Sequence, residues 1–287
     1  MIVLGLDTTT RAGSVALVCD GRLAGHLEGD ASRVHAERLP GDLVRLLETH
    51  GFRPADVDVF AVVAGPGSFT GLRVGVATIQ GLAFGLGRGV VAVGALDALG
   101  QVAAGWDGLN PPRPLPAGSL AGAVMDGQRG EVFSALYRTT EPSLGGGDRV
   151  GEAAAAAPLL IEVVSPPSVS DPPGLFERWR NLVRPIASDM SLRVVLAGDG
   201  ALLHRDAARA ALPPNVGVVE PLPPLAPVAA LMAAWRAERG EVVRPHAVRP
   251  VYVRRTDAEL ARDRRNSATG QADAMSRDRD TQGGCWQ

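Results

Sequence analysis

An apolar run that leads into a glycine-rich loop constrains the fold more than any other part of this sequence. The run covers Val59 to Ala64 and lies between Asp58 and Gly65, a pattern typical of a strand buried on both faces. The loop, GPGSFTGLRVG, leads into a helical pattern that places four apolar residues on one stripe: Leu72, Val76, Ile79 and Ala83. A buried strand, a tight loop and a helix in this order indicate a layered α/β domain.

The chain before this unit predicts a β-hairpin followed by a helix. The segments IVLGLDTT and GSVALVCDGRLAGHLEG have the pattern of three strands, and Asp20-Gly21 suits the type I′ turn of a hairpin. We place the next helix at Ala36–His50, with Gly51 just past its end as a stop signal. Its apolar stripe consists of Leu39, Leu43, Leu46 and Leu47.

The second part of the chain resembles the first. Residues 120–137, LAGAVMDGQRGEVFSALY, again predict a strand, a turn and a strand, with Asp126-Gly127 in the position that Asp7-Thr8 holds at the start. RVVLAGDGALLH predicts a strand that passes through Gly198 and Gly200 into a helix. PVAALMAAWRAERGE predicts a late helix, and VRPVYVRR predicts a closing strand. We therefore expect two related α/β halves.

These patterns divide the chain into four parts. We expect the first half at 1–106 and the second half at 119–260, joined by a proline-rich loop at 107–118. The polar end, 261–287, has no periodic apolar pattern and predicts a disordered tail. Within the second half, Thr139–Pro173 is rich in Gly, Ala, Ser and Pro and predicts irregular structure.

The composition indicates a soluble globular protein of the cytoplasm. The hydrophobic fraction is 46%, the formal charge is −2, and no apolar run reaches the roughly 18 residues that span a bilayer. The start of the chain has no basic segment, so we expect no signal peptide, and two cysteines indicate no disulfide framework. All 29 basic side chains are arginine, which excludes a Walker A lysine and a Schiff-base lysine.

Asp7-Thr8-Thr9, at the end of the first strand, allows two interpretations. A carboxylate and hydroxyls in this place can hold a metal-bound water and phosphate oxygens, but Asp and Thr also commonly cap a β-turn. The five histidines include no pair at i, i+4 spacing, and the chain has no Cys-x-x-Cys, so we expect no metal site. Ser68 is no nucleophile elbow, because Pro66 and Thr70 replace the two glycines of that pattern.

The glycine-rich loop also allows two interpretations. Its backbone amides, at the start of a helix, could bind an anion, with Arg73 as the only nearby basic side chain. Alternatively, the apolar stripe, flanked by Gly75, Ala77 and Gly81, could let another helix approach closely, or could simply face its own sheet.

Five segments resemble the bacterial TsaB (YeaZ) family along nearly the whole chain, to about Glu259. They are LGLDTTTRAGSVAL, HAERLPGDLVRLL, GPGSFTGLRVGVATIQGLAFG, AVMDGQRGEVFSALY and RPVYVRR. The resemblance implies the actin-like ATPase fold of sugar kinases and heat-shock chaperones, with two similar α/β halves that each hold a mixed sheet. It also implies a role in making threonylcarbamoyladenosine beside the anticodon of tRNAs that read codons starting with A.

The same resemblance implies a non-catalytic subunit. Such a subunit scaffolds the catalytic paralogue TsaD as a heterodimer, is joined by the small ATPase TsaE, forms a homodimer when alone, and meets tRNA through the complex. It has no cofactor of its own and no membrane contact, and ATP or ADP and a metal ion belong to its partners. We expect the partner interface on the helices Ala36–His50 and Leu72–Phe84. Its predicted members are Leu39, Leu43, Leu46, Leu72, Val76, Ile79 and Ala83.

The resemblance further implies a vestigial nucleotide site. The positions at which catalytic relatives hold a nucleotide are occupied here by Asp7, Thr8, Thr9, Asp126, Gly198 and Gly200. The bulky pair Gln128-Arg129 follows Asp126-Gly127, where the second phosphate loop of the superfamily has small or hydroxylated residues. The alternative functions are a catalytically active actin-fold ATPase or kinase, and a metallopeptidase-like enzyme.

Overall fold

The computed structural model describes residues 1–141, 158–159, 161–186, 189, 191–213 and 216–253. The chain divides into two units, Met1–Val251 and Tyr252–Gln287, and every helix and strand below belongs to the first unit. The predicted disordered tail at 261–287 lies outside the described residues. None of the described helices is long and apolar enough to cross a bilayer.

The first half contains five strands and three helices. In chain order they are β1 (Ile2–Asp7), β2 (Ser14–Cys19), β3 (Arg22–Glu28), α1 (His35–Thr49), β4 (Val59–Gly65), α2 (Phe69–Gly85), β5 (Gly89–Gly94) and α3 (Ala95–Ala103). The predicted type I′ hairpin turn is confirmed, since Asp20 and Gly21 both have positive φ, at 48° and 74°.

The second half contains the remaining strands and helices. They are β6 (Leu120–Asp126), β7 (Val132–Thr139), β8 (Ile161–Ser170), α4 (Pro172–Val183), β9 (Val194–Ala197), α5 (Asp199–Leu203), α6 (Arg205–Ala211), β10 (Val216–Val218) and α7 (Leu225–Ala237).

The two sheets repeat one topology. The first has the order β3-β2-β1-β4-β5 and the second the order β8-β7-β6-β9-β10. In each sheet the first three strands along the chain pair antiparallel, and the last two add in parallel to the first of them. This confirms the predicted α/β class with two similar halves and mixed sheets.

Helices cover both faces of the first sheet. The stripes of α1 and α2 pack on one face, against Leu6, Leu17 and Phe60. The other face receives α7, so closely that a Cβ on Gly5 of β1 would lie 2.7 Å from the Cβ of Ala230. Helix α7 comes from the part of the chain that we assigned to the second half, although it completes the core of the first. The predicted domain limits themselves stay a prediction.

The irregular structure predicted for Thr139–Pro173 is wrong in part, because β8 occupies Ile161–Ser170. This strand contains Pro166 and Pro167, which have no N–H to donate. The sheet tolerates them because β8 is an edge strand that pairs only with β7, and its register shifts around Leu136.

The closing strand predicted in VRPVYVRR is also wrong for its described residues, 248–253. That segment contains no strand, and the preceding Val243 forms only an isolated antiparallel bridge with Val90. Pro245 and Pro250 interrupt any longer ladder, since each lacks a backbone donor.

Candidate functional site

The loop after β1 buries its carboxylate. Asp7 is 2% exposed, and its Oδ1 accepts hydrogen bonds from the backbone N (2.8 Å) and the hydroxyl (2.7 Å) of Thr9. Burial raises the pKa of Asp7 above its ordinary value, although the two bonds from Thr9 oppose the shift. Asp7 and Thr9 therefore cap a turn, which is one of the two interpretations that the sequence allowed.

Thr8 is held by the glycines of α2. Its hydroxyl donates to the carbonyl oxygen of Gly71 at 2.8 Å. A Cβ on Gly71 would lie 2.1 Å from the carbonyl oxygen of Thr8, and a Cβ on Gly75 would lie 2.2 Å from its hydroxyl oxygen. Glycine is thus required at both positions for α2 to lie directly against this loop.

The start of α2 satisfies its own backbone amides. The hydroxyl of Ser68 accepts from the backbone N of Gly71 at 3.2 Å, as an N-cap, and the backbone N of Ser68 donates to the carbonyl of Thr9 at 2.8 Å. The glycines of GPGSFTGLRVG accordingly serve the close packing of strand loop on helix, and this geometry favours neither phosphate nor another anion.

Histidine and arginine side chains of α1 support the same loop from behind. His35 Nε2 lies 3.0 Å from the carbonyl oxygen of Thr10, and Arg38 donates to the carbonyl of Ala12 and to Asp42 Oδ2 (2.7 Å). Burial lowers the pKa of His35. This histidine packs against the loop, and in the described part of the chain no group of three or more His, Cys, Asp or Glu is placed to hold a metal ion.

The corresponding loop of the second half is built differently. The carboxylate of Asp126 accepts from the backbone N (2.9 Å) and the side-chain amide (2.7 Å) of Gln128, which is exposed. Gln128 and Arg129 both have left-handed backbones, with φ of 59° and 57°. The predicted bulky residues therefore lie at the tip of this turn.

Gly198 and Gly200 pack against β6. Added Cβ atoms would lie 2.0 Å from the carbonyl oxygen of Val124 and 2.6 Å from the carbonyl carbon of Met125. Between them, Asp199 Oδ1 accepts from the backbone N atoms of Asp126 and Gly200, each at 2.9 Å, and burial raises the pKa of Asp199. Both glycines have a packing reason that requires no nucleotide.

Asp7 and Asp199 face one cavity of about 140 Å³ between the two sheets. Glu28 also lines it, together with the apolar side chains of Leu99 and Met125. No lining residue among those described is basic. The sequence reasoning missed Asp199 and Glu28 as members of this site. The signal for Asp199 was its place directly after a strand, which matches that of Asp7.

The predicted partner interface is wrong in its choice of helix face. All seven predicted residues are at most 4% exposed, because they pack inward from α1 and α2: Leu39, Leu43, Leu46, Leu72, Val76, Ile79 and Ala83. Six of them belong to one core cluster with the apolar residues of β1, β2 and β4. The stripe faces its own sheet, so it offers no surface to a partner.

The opposite face of α2 is exposed and built of small residues. Ala77, Gly81 and Gly85 lie there, and added Cβ atoms on the two glycines would meet nothing within 4 Å. Phe84 beside them is 80% exposed, and Val44 of α1 is 42% exposed. The sequence signal for this face was the i, i+4, i+8 spacing of small residues, which average hydropathy does not distinguish from a solvated face.

Two repeated mixed sheets around a cleft, with the first strand of each ending at that cleft, define the actin-like ATPase fold. A family model for TsaD, tRNA N6-adenosine threonylcarbamoyltransferase, matches residues 26–170, just over half of the chain. The chain belongs to this family and, within it, to the TsaB (YeaZ) group. The predicted resemblance is confirmed.

The relatives are similar over part of their length. The tRNA threonylcarbamoyladenosine biosynthesis protein TsaB of Escherichia coli (strain K12) is 35% identical over 148 residues, 52% of this chain and 60% of that protein. The Haemophilus influenzae protein of the same name is 41% identical over 103 residues, 36% of this chain and 43% of that protein. The chain thus spans about half the length of these curated relatives.

A solved structure is similar over most of the chain. It is a Pseudomonas aeruginosa protein described as having similarity to peptidase YEAZ, with 29% identity and a TM-score of 0.64. The match covers 88% of this chain and 99% of that one.

Proposed function

We propose that this chain is a non-catalytic scaffold subunit for threonylcarbamoyl transfer to the adenosine beside the anticodon of tRNAs that read A-starting codons. It acts in the cytoplasm by binding and activating a TsaD-type catalytic paralogue together with the ATPase TsaE. Family membership supports the pathway, and the outer face of α2 supports the scaffold role. Alone, the chain forms a homodimer through the same face.

The observation that carries this proposal is the exposure of Phe84 beside Ala77, Gly81 and Gly85. A large apolar side chain that is 80% exposed is costly in water, and small neighbours allow the backbone of a partner helix to approach closely. Val44 on the neighbouring helix α1 extends the same surface. A helix pair of the paralogue fits such a face.

The cleft supports a non-catalytic role. Its described lining carries the carboxylates of Asp7, Glu28 and Asp199 and no basic side chain, an arrangement that repels polyphosphate. We propose that the chain has no intrinsic cofactor, and that ATP or ADP and the metal ion of the complex are held by the partners.

The test is a matched set of substitutions on helix faces. Ala77→Arg places a long charged side chain on the proposed face, while Ala210→Arg places the same side chain on an exposed face of α6 in the other half. Binding of the TsaD-type paralogue should be lost in the first variant and kept in the second, with both chains folded. Val76→Arg, one residue away, should instead unfold the chain, because it buries an unpaired charge.

Reconstituted tRNA modification completes the test. With TsaD-type and TsaE-type partners, threonylcarbamoyl transfer should depend on this chain and should fail with Ala77→Arg. Full modification without the chain would contradict the scaffold role. ATP turnover by the purified chain that is lost on Asp7→Ala would favour the kinase or ATPase alternative.

A further inference from the structure

The chain from Val242 to Val251 forms an arm, here called the C-terminal arm, that lies along α2 and the edge strand β5. Val243 and Val90 exchange two backbone hydrogen bonds, each of 2.9 Å. The side-chain amide of Gln80 donates to the carbonyls of Pro245 (2.9 Å) and Val248 (3.1 Å), and the backbone N of Val251 donates to Ala64 at 2.7 Å. The arm is therefore anchored at three points to the first half.

The arm and the structure beneath it segregate positive charge. The chain has 31 acidic residues, but residues 59–96 and 242–255 contain none. Arg244, His246 and Arg249 of the arm are exposed. Arg249 donates to the carbonyls of His246 and Val248, and among the described acidic side chains none forms an ion pair with Arg244 or Arg249.

The flank of α2 beside the arm adds an aromatic platform. Positions 69, 73 and 80 share one flank of the helix at 100° per residue, and Gln80 on that flank holds the arm. Phe69 is 45% exposed, and the guanidinium carbon of Arg73 lies 3.9 Å from the centre of its ring. A guanidinium plane stacked on an exposed ring suits an unpaired base.

We propose that Phe69, Arg73, Arg244 and Arg249 form a surface by which this chain itself binds RNA. The arginines of the arm contact backbone phosphates, and the Phe69–Arg73 pair stacks on an unpaired base of a loop. This inference rests on the proposed function, which brings tRNA to the complex. Single-stranded or loop RNA fits better than an acidic protein, because the platform offers a flat stacking face as well as charge.

The test compares charge reversals on two surfaces. Arg244→Glu/Arg249→Glu removes the arm's positive charge, and Arg184→Glu/Arg209→Glu makes the same change in net charge on exposed arginines of the second half. Binding of a fluorescent, unmodified tRNA transcript is measured by anisotropy, with the chain alone and with its TsaD-type partner, across a salt series. Thermal melts verify that each variant is folded.

We expect the arm variant to lose roughly tenfold in affinity at 0.1 M salt, while the control variant binds like the unaltered chain. The milder Arg244→Ala/Arg249→Ala should reduce the slope of log affinity against log salt by about two. Phe69→Leu should lower photocrosslinking of a loop base, with the slope unchanged.

Equal losses in the arm and control variants would overturn the inference, as would unchanged binding in the arm variant. Equally tight binding of polyglutamate would overturn it in favour of an acidic protein. The proposed function is tested separately: loss of partner binding by Ala77→Arg concerns the outer face of α2, so either proposal can fail while the other stands.

Discussion

The two halves share one topology, but they close the loop after their first strand in different ways. In the first half, the 17-residue helix α2 lies across this loop, and Gly71 and Gly75 admit Thr8 at distances where no Cβ would fit. In the second half, the helix in the same topological place, α5, has only five residues and contacts the end of β6 through Gly198 and Gly200. The loop after β6 keeps an exposed tip.

The difference teaches that one inherited seat can be kept while its cover changes. Glycine follows the second parallel strand in both halves, at Gly65 and Gly198, with φ of 120° and 125°. In the first half the long helix also carries an outer face with room for a partner. In the second half the short helix offers no comparable face.

The largest effect should come from filling the seat of the first half. Gly75→Ala would place a Cβ 2.2 Å from the hydroxyl oxygen of Thr8, so we expect a loss of about 3 kcal/mol in the free energy of unfolding. Gly81→Ala in the same helix has open space and should gain up to about 1 kcal/mol. Chemical denaturation measures both, and equal stability of the two variants would contradict the packing argument.

A smaller effect should follow from removing the hydroxyl that crosses this seat. Thr8→Val keeps the shape of the side chain but leaves the carbonyl of Gly71 without its 2.8 Å hydrogen bond. We expect a loss of about 1 to 2 kcal/mol, because the hydroxyl and this carbonyl are buried. Thr70→Val, on the exposed side of α2, is the matched control and should change stability little.

The buried carboxylate should make stability depend on pH. The pKa of Asp7 is raised in the folded chain above its ordinary value of 3.8, so the folded state holds the proton more tightly, and stability falls as pH rises from about 3.8 through the folded pKa. Asp7→Asn keeps an acceptor oxygen for Thr9 and removes the charge. Its advantage over the unaltered chain should therefore grow across that window.

Thermal melts between pH 3.5 and 8 check this prediction. Asp199→Asn should behave in the same direction, since burial also raises the pKa of Asp199. Asp30→Asn is the opposite control: hydrogen bonds from Ser32 lower the pKa of Asp30, which contributes stability above its ordinary pKa that is lost as pH falls. An Asp7→Asn chain with the pH profile of the unaltered chain would refute the assignment.

The smallest effect should occur at the exposed tip of the second half. Arg129 has a left-handed backbone that glycine adopts without strain, so Arg129→Gly should change stability by less than about 1 kcal/mol. Arg138→Gly, in the strand β7, should destabilise the chain instead, because glycine weakens a strand. A large change at Arg129 would show that this tip is held as firmly as the loop at Thr8.

Much of the fold was predictable because strands and helices follow local patterns. The apolar run before Gly65 and the stripes of α1 and α2 predicted these elements within a few residues of their observed bounds. The doubled Asp-containing turn predicted the repeat. The prolines of β8 misled the prediction, because a sequence does not state that a strand lies at an edge.

The site was less predictable, because burial is a tertiary property. The stripe through Val76 and Ile79 is apolar whether it faces a sheet or a partner, and only the structure shows that its own sheet covers it. The cavity brings Asp7 and Asp199 together across more than 190 positions of sequence, a distance that no local pattern reports. The small residues on the outer face gave a weaker signal than the apolar stripe.

The placement of α7 affects the order of events on the ribosome. Its Ala226 donates a backbone hydrogen bond to Ser14 of β2 at 3.1 Å, and Arg236 donates to Ala92 of β5 at 3.1 Å. One face of the earliest sheet therefore waits bare while more than a hundred further residues are synthesised. During translation this uncovered sheet is the form of the protein that most needs a chaperone.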